Sequence, residues 1–405
     1  MFPNRDTIEL VAGSGVTAAM TIGYLVFVGR VIGPAEYSDF SAALSIIYFV
    51  GLTLSPLTPT IARLTASYRA RGGADDSVVA LRRAALQRTM LVAGAITVAG
   101  IAVSFALANA LRFRTAAPLA WAFAAVFLYA IVSVDRGVAQ GLLLFRFYNA
   151  NVIIEAAVRL VLAVILVLIV RAASSALLPY VVGLGIAEIA LAGRLRQRGS
   201  GQGSVDWLDV RRLAVPIMIV MFSLAVFQNA DMLAVKRWFS PRDAGAYGAA
   251  TAVARAFGVI FVPFYVIAGP LLTSLHEAGK PIVGATLRLT AWFAAAGIAA
   301  LLLVAAAPQL LLRSLYGADF LRGASILVPL GGIAIISYAG LMLAQALLTL
   351  HDFRFVAGYV VCAVLQCIGL AFFHTDYSDV IRVLYVAQIA AVLSVSIFFL
   401  ARRRA

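Results

Sequence analysis

The chain has 405 residues, of which 63% are hydrophobic and only 12% charged, with a mean hydropathy of +0.99 and a formal net charge of +14. A water-soluble fold cannot hide that much apolar surface, because burial is limited by surface-to-volume scaling. The composition excludes a soluble domain and makes lipid the solvent. With no strand alternation of the outer-membrane type, the spans are helices whose backbone groups are satisfied internally.

Twelve stretches supply the roughly 20 apolar residues that cross a hydrocarbon core of about 30 Å. They are 8–29, 38–61, 89–110, 116–140, 150–170, 174–193, 213–235, 245–272, 289–312, 324–349, 356–373 and 381–400. Met1–Asp6 is short and no separate mature domain follows the first span, so the first helix is expected to be kept rather than cleaved as a signal peptide. Tyr24 lies in it, and Gly33-Pro34-Ala35-Glu36 then reads as a helix start, with Gly as N-cap, Pro at the first helical position and the acid at the third. The second span carries Tyr48 and Pro56, with Pro59 nearby, and the proline predicts a bend.

The fourth and sixth spans hold Asp135-Arg136, Gln140 and Glu188 in their inner halves, where they either line a cytoplasmic entrance or, as the expected arrangement, snorkel to the interface. In the fifth, Glu155 precedes Arg159 by four residues, a self-neutralising order near mid-membrane. The pair reads either as a structural ion pair facing the bundle interior or as part of a cargo path. Arg194 to Ser204 is a basic Gly/Ser-rich linker, and Trp207, Leu208 and Val210 form an expected interfacial lead-in to the seventh helix.

The seventh span ends in Gln228, Asn229 and Asp231. Asp231 could pair with Arg255, couple to a proton or cation, or sit at the outer rim as a solvated acid. Ser240-Pro241-Arg242-Asp243 is a second helix start, and the eighth span carries Arg255, Pro263 and Pro270. Arg255 lies about ten residues, roughly 15 Å, into that span. A charge at that depth costs several kcal/mol unless it faces water or a partner, which makes it a functional candidate against the alternative of a helix-holding salt bridge. Cys362 and Cys367 share the eleventh span on different sides and read as buried free thiols. His276, His351 and His374 lie singly and read as surface residues; metal-site spacing is absent.

Two global patterns organise these spans. Val28, Arg30, Pro34, Ala42, Ala43, Gly51 and Pro56 recur 207 residues later as Val235, Arg237, Pro241, Ala249, Ala250, Gly258 and Pro263. Six spans per half insert the same way up. The expected fold is therefore an all-α polytopic membrane protein of about 12 transmembrane helices, two parallel six-helix repeats around a central cavity. The expected domains are 1–200, a linker with interfacial segment at 201–212, and 213–405. Bent helices at Pro56, Pro263 and Pro270 could gate the cavity or be packing kinks. Placing the N-terminus inside leaves nineteen Lys and Arg on the cytoplasmic side against ten outside, so both termini are expected in the cytoplasm. The same distribution reads as membrane topology rather than nucleic-acid binding.

The run from Gly29 to Ala42, with Gly33-Pro34-Ala35-Glu36-Tyr37 and Phe40, resembles the signature of the Wzx-like polysaccharide flippases of the multidrug/oligosaccharidyl-lipid/polysaccharide exporter superfamily. The second half resembles the same family over Leu213–Leu275, including Pro216, Asn229-Ala230-Asp231 and Pro241 to Tyr247. Two departures are Met232, where a basic residue is common, and a first helix uncharged between Leu10 and Val28. Twelve spans rather than fourteen argue against the lipid II flippase branch.

The resemblance implies two six-helix bundles that move undecaprenyl-pyrophosphate-linked oligosaccharide to the outer leaflet of a bacterial inner (plasma) membrane. It implies no catalysis and no cofactor. Coupling to a proton or sodium gradient, a monomer, and polysaccharide assembly proteins as partners complete the expectation. A pyrophosphate cargo needs donors along its path, and the fork of arginine suits phosphate oxygens. The candidate cargo residues are Arg255, Arg159, Asp231, Asn229, Gln228, Glu155, Tyr24 and Tyr48, the tyrosines either stacking on sugars or packing. The alternative is a drug or cation antiporter of the same superfamily, using Asp231 and Glu155 as exchange acids. A membrane glycosyltransferase or polymerase is disfavoured because the outer loops are short and lack an acid pair or His cluster. The mid-membrane charges argue against a purely structural scaffold.

Overall fold

The computed structural model describes residues 5–70, 75–195 and 207–401, which contain fourteen α-helices and no strand. The first half holds α1 (Arg5–Leu54), α2 (Leu57–Ala70), α3 (Asp75–Ala110), α4 (Ala117–Gly141), α5 (Phe145–Ile169) and α6 (Ala173–Arg194). The second holds α7 (Trp207–Trp238), α8 (Pro241–Arg255), α9 (Phe257–Glu277), α10 (Val283–Ala306), α11 (Pro308–Tyr316), α12 (Ala324–Thr349), α13 (Val356–Phe372) and α14 (Tyr377–Ala401), with a 3₁₀ turn at Ala318–Gly323. Ten stretches of the described residues are long and apolar enough to cross a membrane. The first of them, Gly13–Arg69, takes in most of the first expected span and all of the second, and the eleventh expected span is the 17-residue α13.

Large apolar side chains point outward, among them Leu303 (78% exposed), Ile189 (76%) and Leu91 (74%). That pattern is lipid-facing and would be an aggregation hazard in water.

Several boundaries differ from expectation for local reasons. Gly33 interrupts α1 with φ 74° and ψ 170°, a left-handed backbone open mainly to glycine, and Pro34 restarts the helix after it. Pro56 does more than bend the second span. The helix ends at Leu54, Ser55 closes on Leu52 O (3.1 Å), and α2 restarts with Thr60 Oγ1 donating to Pro56 O (2.7 Å). In the second half the break falls at Ala256, before Pro263 and Pro270, both of which lie inside α9. α3 begins fourteen residues before the expected span because Arg82, taken as a loop residue, docks on α4 and keeps its segment helical. Pro308 ends α10 early and opens α11. Trp207 to Val210 are the first turn of a continuous α7 rather than a separate lead-in. The linker at 196–206 lies outside the described residues, as do Arg71 and Arg402–Arg404.

The chain forms two compact units, which do not follow the half-chain division. Unit 1 comprises Met1–Ile32 and Ala42–Phe222; unit 2 comprises Gly33–Ser41 and Ser223–Ala405. In unit 1, α4 packs against α2, α3 and α6, and Ile61, Leu81, Val134, Val138 and Leu191 form one apolar cluster. In unit 2, α12 plays the central part against α8, α9, α10 and α14, with Phe261 stacked on Tyr338 (4.7 Å) and edge-on to Phe293 (5.2 Å). Lipid is as apolar as leucine, so these contacts hold by close packing and by polar pairs rather than by expulsion of water.

Gly33–Ser41 belongs to unit 2 because its side chains are claimed there. Lys236 Nζ meets Asp39 Oδ1 at 2.5 Å and donates to Ser38 Oγ at 2.9 Å, all three residues being buried. Tyr37 packs edge-on to Tyr316 and Phe320. Backbones touch as well: a Cβ on Gly245 would lie 1.8 Å from Pro34 O, and one on Gly248 would lie 2.6 Å from Ser41 Oγ. Ser41 and Gly248 are repeat mates, so the two related helices cross at their own equivalent point.

Candidate functional site

In unit 2 the polar centre is built on α7. Arg255, the last residue of α8, reaches back so that Nη2 donates to Gln228 O and Asn229 Oδ1, both at 2.9 Å. Asn229 in turn donates to Ala225 O (2.9 Å). Asp231 is buried, which removes the reading of a solvated acid at the outer rim. Its Oδ2 accepts from the Tyr247 hydroxyl at 2.6 Å, and its Oδ1 is buried without a hydrogen-bond partner.

Gln228, Asp231, Thr251, Arg255, Tyr338 and Gln388 line a cavity of about 40 Å³, room for a few water molecules. Gln366 donates to Val226 O (3.3 Å) and Phe227 O (3.4 Å), and Gln388 to Phe227 O (3.3 Å) while accepting from Ser337. The carbonyls of Val226, Phe227 and Gln228 thus each receive a side chain from a neighbouring helix.

Unit 1 holds a denser charge network. Glu155 Oε1 takes Arg159 at 3.2 Å, as the four-residue spacing predicts. Its Oε2 takes Arg136 more closely, at 2.7 Å, and Arg136 Nε also donates to Asn151 Oδ1 (2.9 Å). Arg159 Nη2 donates to Thr21 Oγ1 (2.8 Å), and its guanidinium lies over the rings of Tyr180 (4.3 Å) and Tyr24 (5.4 Å). Tyr24 is buried and donates to Ala176 O (2.6 Å), while Tyr180 donates to Tyr48 at 3.4 Å.

Asp135 is fully buried and bound in a fork by Arg82, with Nε to Oδ1 at 2.8 Å and Nη2 to Oδ2 at 2.5 Å. The snorkelling expected of Asp135 and Arg136 is therefore wrong. Ion pairing across helices satisfies both inside the bundle.

The eight residues singled out in the sequence fall into these two groups. Arg255, Gln228, Asn229 and Asp231 stand together in unit 2; Arg159, Glu155, Tyr24 and Tyr48 stand together in unit 1. Sequence reasoning missed Thr21, Tyr180, Tyr247 and Gln366, which carry no charge, and the Asp39–Lys236 pair. The signal for that pair was its break with the repeat, since the mates of Asp39 and Lys236 are Ala246 and Gly29. Cys362 is buried as expected, but Cys367 faces outward on α13. His374 is not a lone surface residue, because its ring stacks on Trp238 at 4.1 Å.

The sequence profile of the polysaccharide biosynthesis protein family matches residues 4–276, about two thirds of the chain. The chain belongs to this family. No functionally curated protein matches it by sequence. Its fold is shared by an inward-facing multidrug resistance MATE transporter of the MOP superfamily (TM-score 0.76, 13% identity, 96% of each chain). It is shared equally by the lipid II flippase MurJ in an inward closed conformation (TM-score 0.76, 11% identity, 96% of this chain and 86% of that one). A MOP superfamily transporter from Pyrococcus furiosus, described as having a binding pocket of reversed polarity, also matches (TM-score 0.60, 14% identity, 98% and 93%). This polysaccharide biosynthesis family member is thus a multi-pass membrane protein with the two-repeat transporter fold of that superfamily.

Proposed function

We propose that the protein flips polyprenyl-pyrophosphate-linked oligosaccharide from the cytoplasmic to the outer leaflet of a bacterial inner membrane, for surface polysaccharide assembly. It works by alternating access, as a monomer with both termini in the cytoplasm, and performs no bond chemistry. The observation that carries the reading is Arg255, a guanidinium deep in the chain's apolar span that lines a cavity in unit 2 and is held there by the neutral oxygens of Gln228 and Asn229. A charge at that depth is costly and suits a phosphate-bearing cargo. The family match and the likeness to MurJ support the same cargo class.

Labelling outer-face glycan in cells lacking the protein tests this. Lipid-linked sugar is expected to accumulate inside, wild-type re-expression to restore outer labelling, and Arg255→Ala to insert normally yet restore little of it. Full restoration by Arg255→Ala would sink its cargo role.

A drug or cation antiporter is the second reading. It is favoured by Asp231, whose buried Oδ1 has no partner in that cavity, and by the MATE neighbours. It predicts unchanged glycan sidedness and raised accumulation of cationic dyes in the deletion strain. Protons or sodium ions would supply the drive in either case.

A further inference from the structure

A second cavity in unit 2 lies away from Arg255, between α13 and α14, and holds about 400 Å³ against about 40 Å³ for the first. That is the size range of small-ligand sites, roughly 300–1,000 Å³. Cys362, Leu365 and Gly369 line it from α13, and Val386, Ala387 and Ala390 from α14. These positions follow helical spacing, so each helix gives one face to the gap. Cys362 and Ala387 are buried at its floor, while Leu365 and Val386 at the rim are exposed. The gap is therefore a groove that opens onto the lipid-facing side of the hairpin. At Gly369 the helices close up, since a Cβ there would lie 2.8 Å from Val383 Cγ1.

The dimensions of the groove fit one leaflet. From Cys362 to Phe373, both of which line it, α13 rises about 16 Å at 1.5 Å per residue, close to half of a hydrocarbon core of about 30 Å. One acyl chain therefore fills it lengthwise. The lining is apolar except at one end, where Asp379 and Arg382 stand in the opening turns of α14. The 17-residue α13 is only about 25 Å long, so it falls short of the core and draws the membrane surface toward that charged end.

The charges select the head group. Arg382 is 75% exposed and meets Asp379 at 3.5 Å, the far limit of a hydrogen bond, so neither group saturates the other. A guanidinium so placed takes the oxygens of a phosphate, and a carboxylate one turn away takes an ammonium. Asp379 N–H donates to Asp376 Oδ1 (2.8 Å), which brings a second acid to the same helix start. Two acids beside one arginine favour a head group that carries its own positive charge over a purely anionic one. They equally disfavour a diphosphate.

We propose that this groove is a resident-lipid site. It seats one acyl chain of an amine-bearing zwitterionic phospholipid, with the phosphate on Arg382 and the ammonium on Asp379. The site rests on the membrane-spanning fold and not on the nature of the cargo.

The test is native mass spectrometry of the full chain released from nanodiscs of equal phosphatidylethanolamine and phosphatidylglycerol. Wild type is expected to keep one phosphatidylethanolamine about tenfold in preference to phosphatidylglycerol, the low end for a charge-assisted hydrogen bond. Asp379→Asn should lose the preference while keeping lipid, and Arg382→Ala should keep about tenfold less of either lipid. Ala390→Phe fills the tail end of the groove, far from the charges, and should also reduce retention of both. Arg382 is exposed, so its removal leaves the fold intact. An Ala390→Phe protein that melts below wild type is replaced by Ala390→Leu, with the same expectation.

Equal retention of the two lipids, or a preference for phosphatidylglycerol, overturns the proposal. So does wild-type retention in both Arg382→Ala and the Ala390 variant, which would place the lipid elsewhere. A dimer that Ala390→Phe separates would give the groove to a second copy of the chain. Displacement of phosphatidylethanolamine by undecaprenyl diphosphate would give it to the cargo, and either result ends the resident-lipid site. Glycan sidedness plays no part in the readout, so failure of the flippase reading and failure of this one are told apart.

Discussion

The two units solve one problem, how to keep guanidinium groups inside an apolar bundle, by different means. Unit 1 uses countercharge: Arg82 on Asp135, then Arg136 and Arg159 on Glu155, with tyrosine faces around Arg159. Unit 2 uses neutral oxygens, the carbonyl of Gln228 and the amide of Asn229, beside a small cavity. A carboxylate shared by two arginines makes a stiff, interdependent network, because removing one member strands the others. Hydrogen bonds to carbonyls hold a guanidinium without making two arginines depend on one carboxylate, so unit 2 keeps its arginine more exchangeable.

The sharpest way to break this contrast is to remove the shared carboxylate. Glu155→Leu should cost about 3–5 kcal/mol by taking from Arg136 and Arg159 the carboxylate they share. It should show as a strongly lowered midpoint in detergent unfolding; a loss under about 1 kcal/mol would mean the network is dispensable. In unit 2, Tyr247→Phe strips the hydroxyl donor from Asp231 Oδ2 and should cost about 1–2 kcal/mol in the same assay. A cost equal to that of Glu155→Leu would erase the distinction between the units.

The smallest effects separate the two helix starts. Ser240 accepts from Asp243 N–H at 3.2 Å and donates to Asp243 Oδ2 at 2.5 Å, in ordinary extended backbone. Its mate Gly33 does the job with a left-handed backbone. Gly33→Ser should therefore cost about 1–2 kcal/mol, and Ser240→Gly only a few tenths (~0.3). Equal costs would mean that the two hairpins share one geometry after all.

What the sequence made legible follows from the range of each interaction. The Glu155–Arg159 pair lies one helical turn apart, so spacing alone exposed it. Both helix starts were readable because Gly33-Pro34 and Ser240-Pro241 act on their own backbone. Arg255 stood out because a charge in an apolar span has few innocent explanations. Which carbonyls it meets was not legible, nor was the claim of Arg136 on Glu155, since helix register against a neighbour is set by packing of both. The burial of Asp135 was misjudged for the same reason: its partner Arg82 sat in a stretch that looked like loop. Ser38 and Lys236, bonded across 198 positions, left only the trace of two broken repeat matches.

The allotment of Gly33–Ser41 to unit 2 bears on how such a molecule could be assembled from pieces. A polypeptide starting at residue 207 would carry Lys236 into the bilayer with Asp39, the buried carboxylate it meets, left on another molecule. A polypeptide ending before it would carry Asp39 without the ammonium that Lys236 supplies. Severed halves would therefore be poor monomers that find each other through this pair.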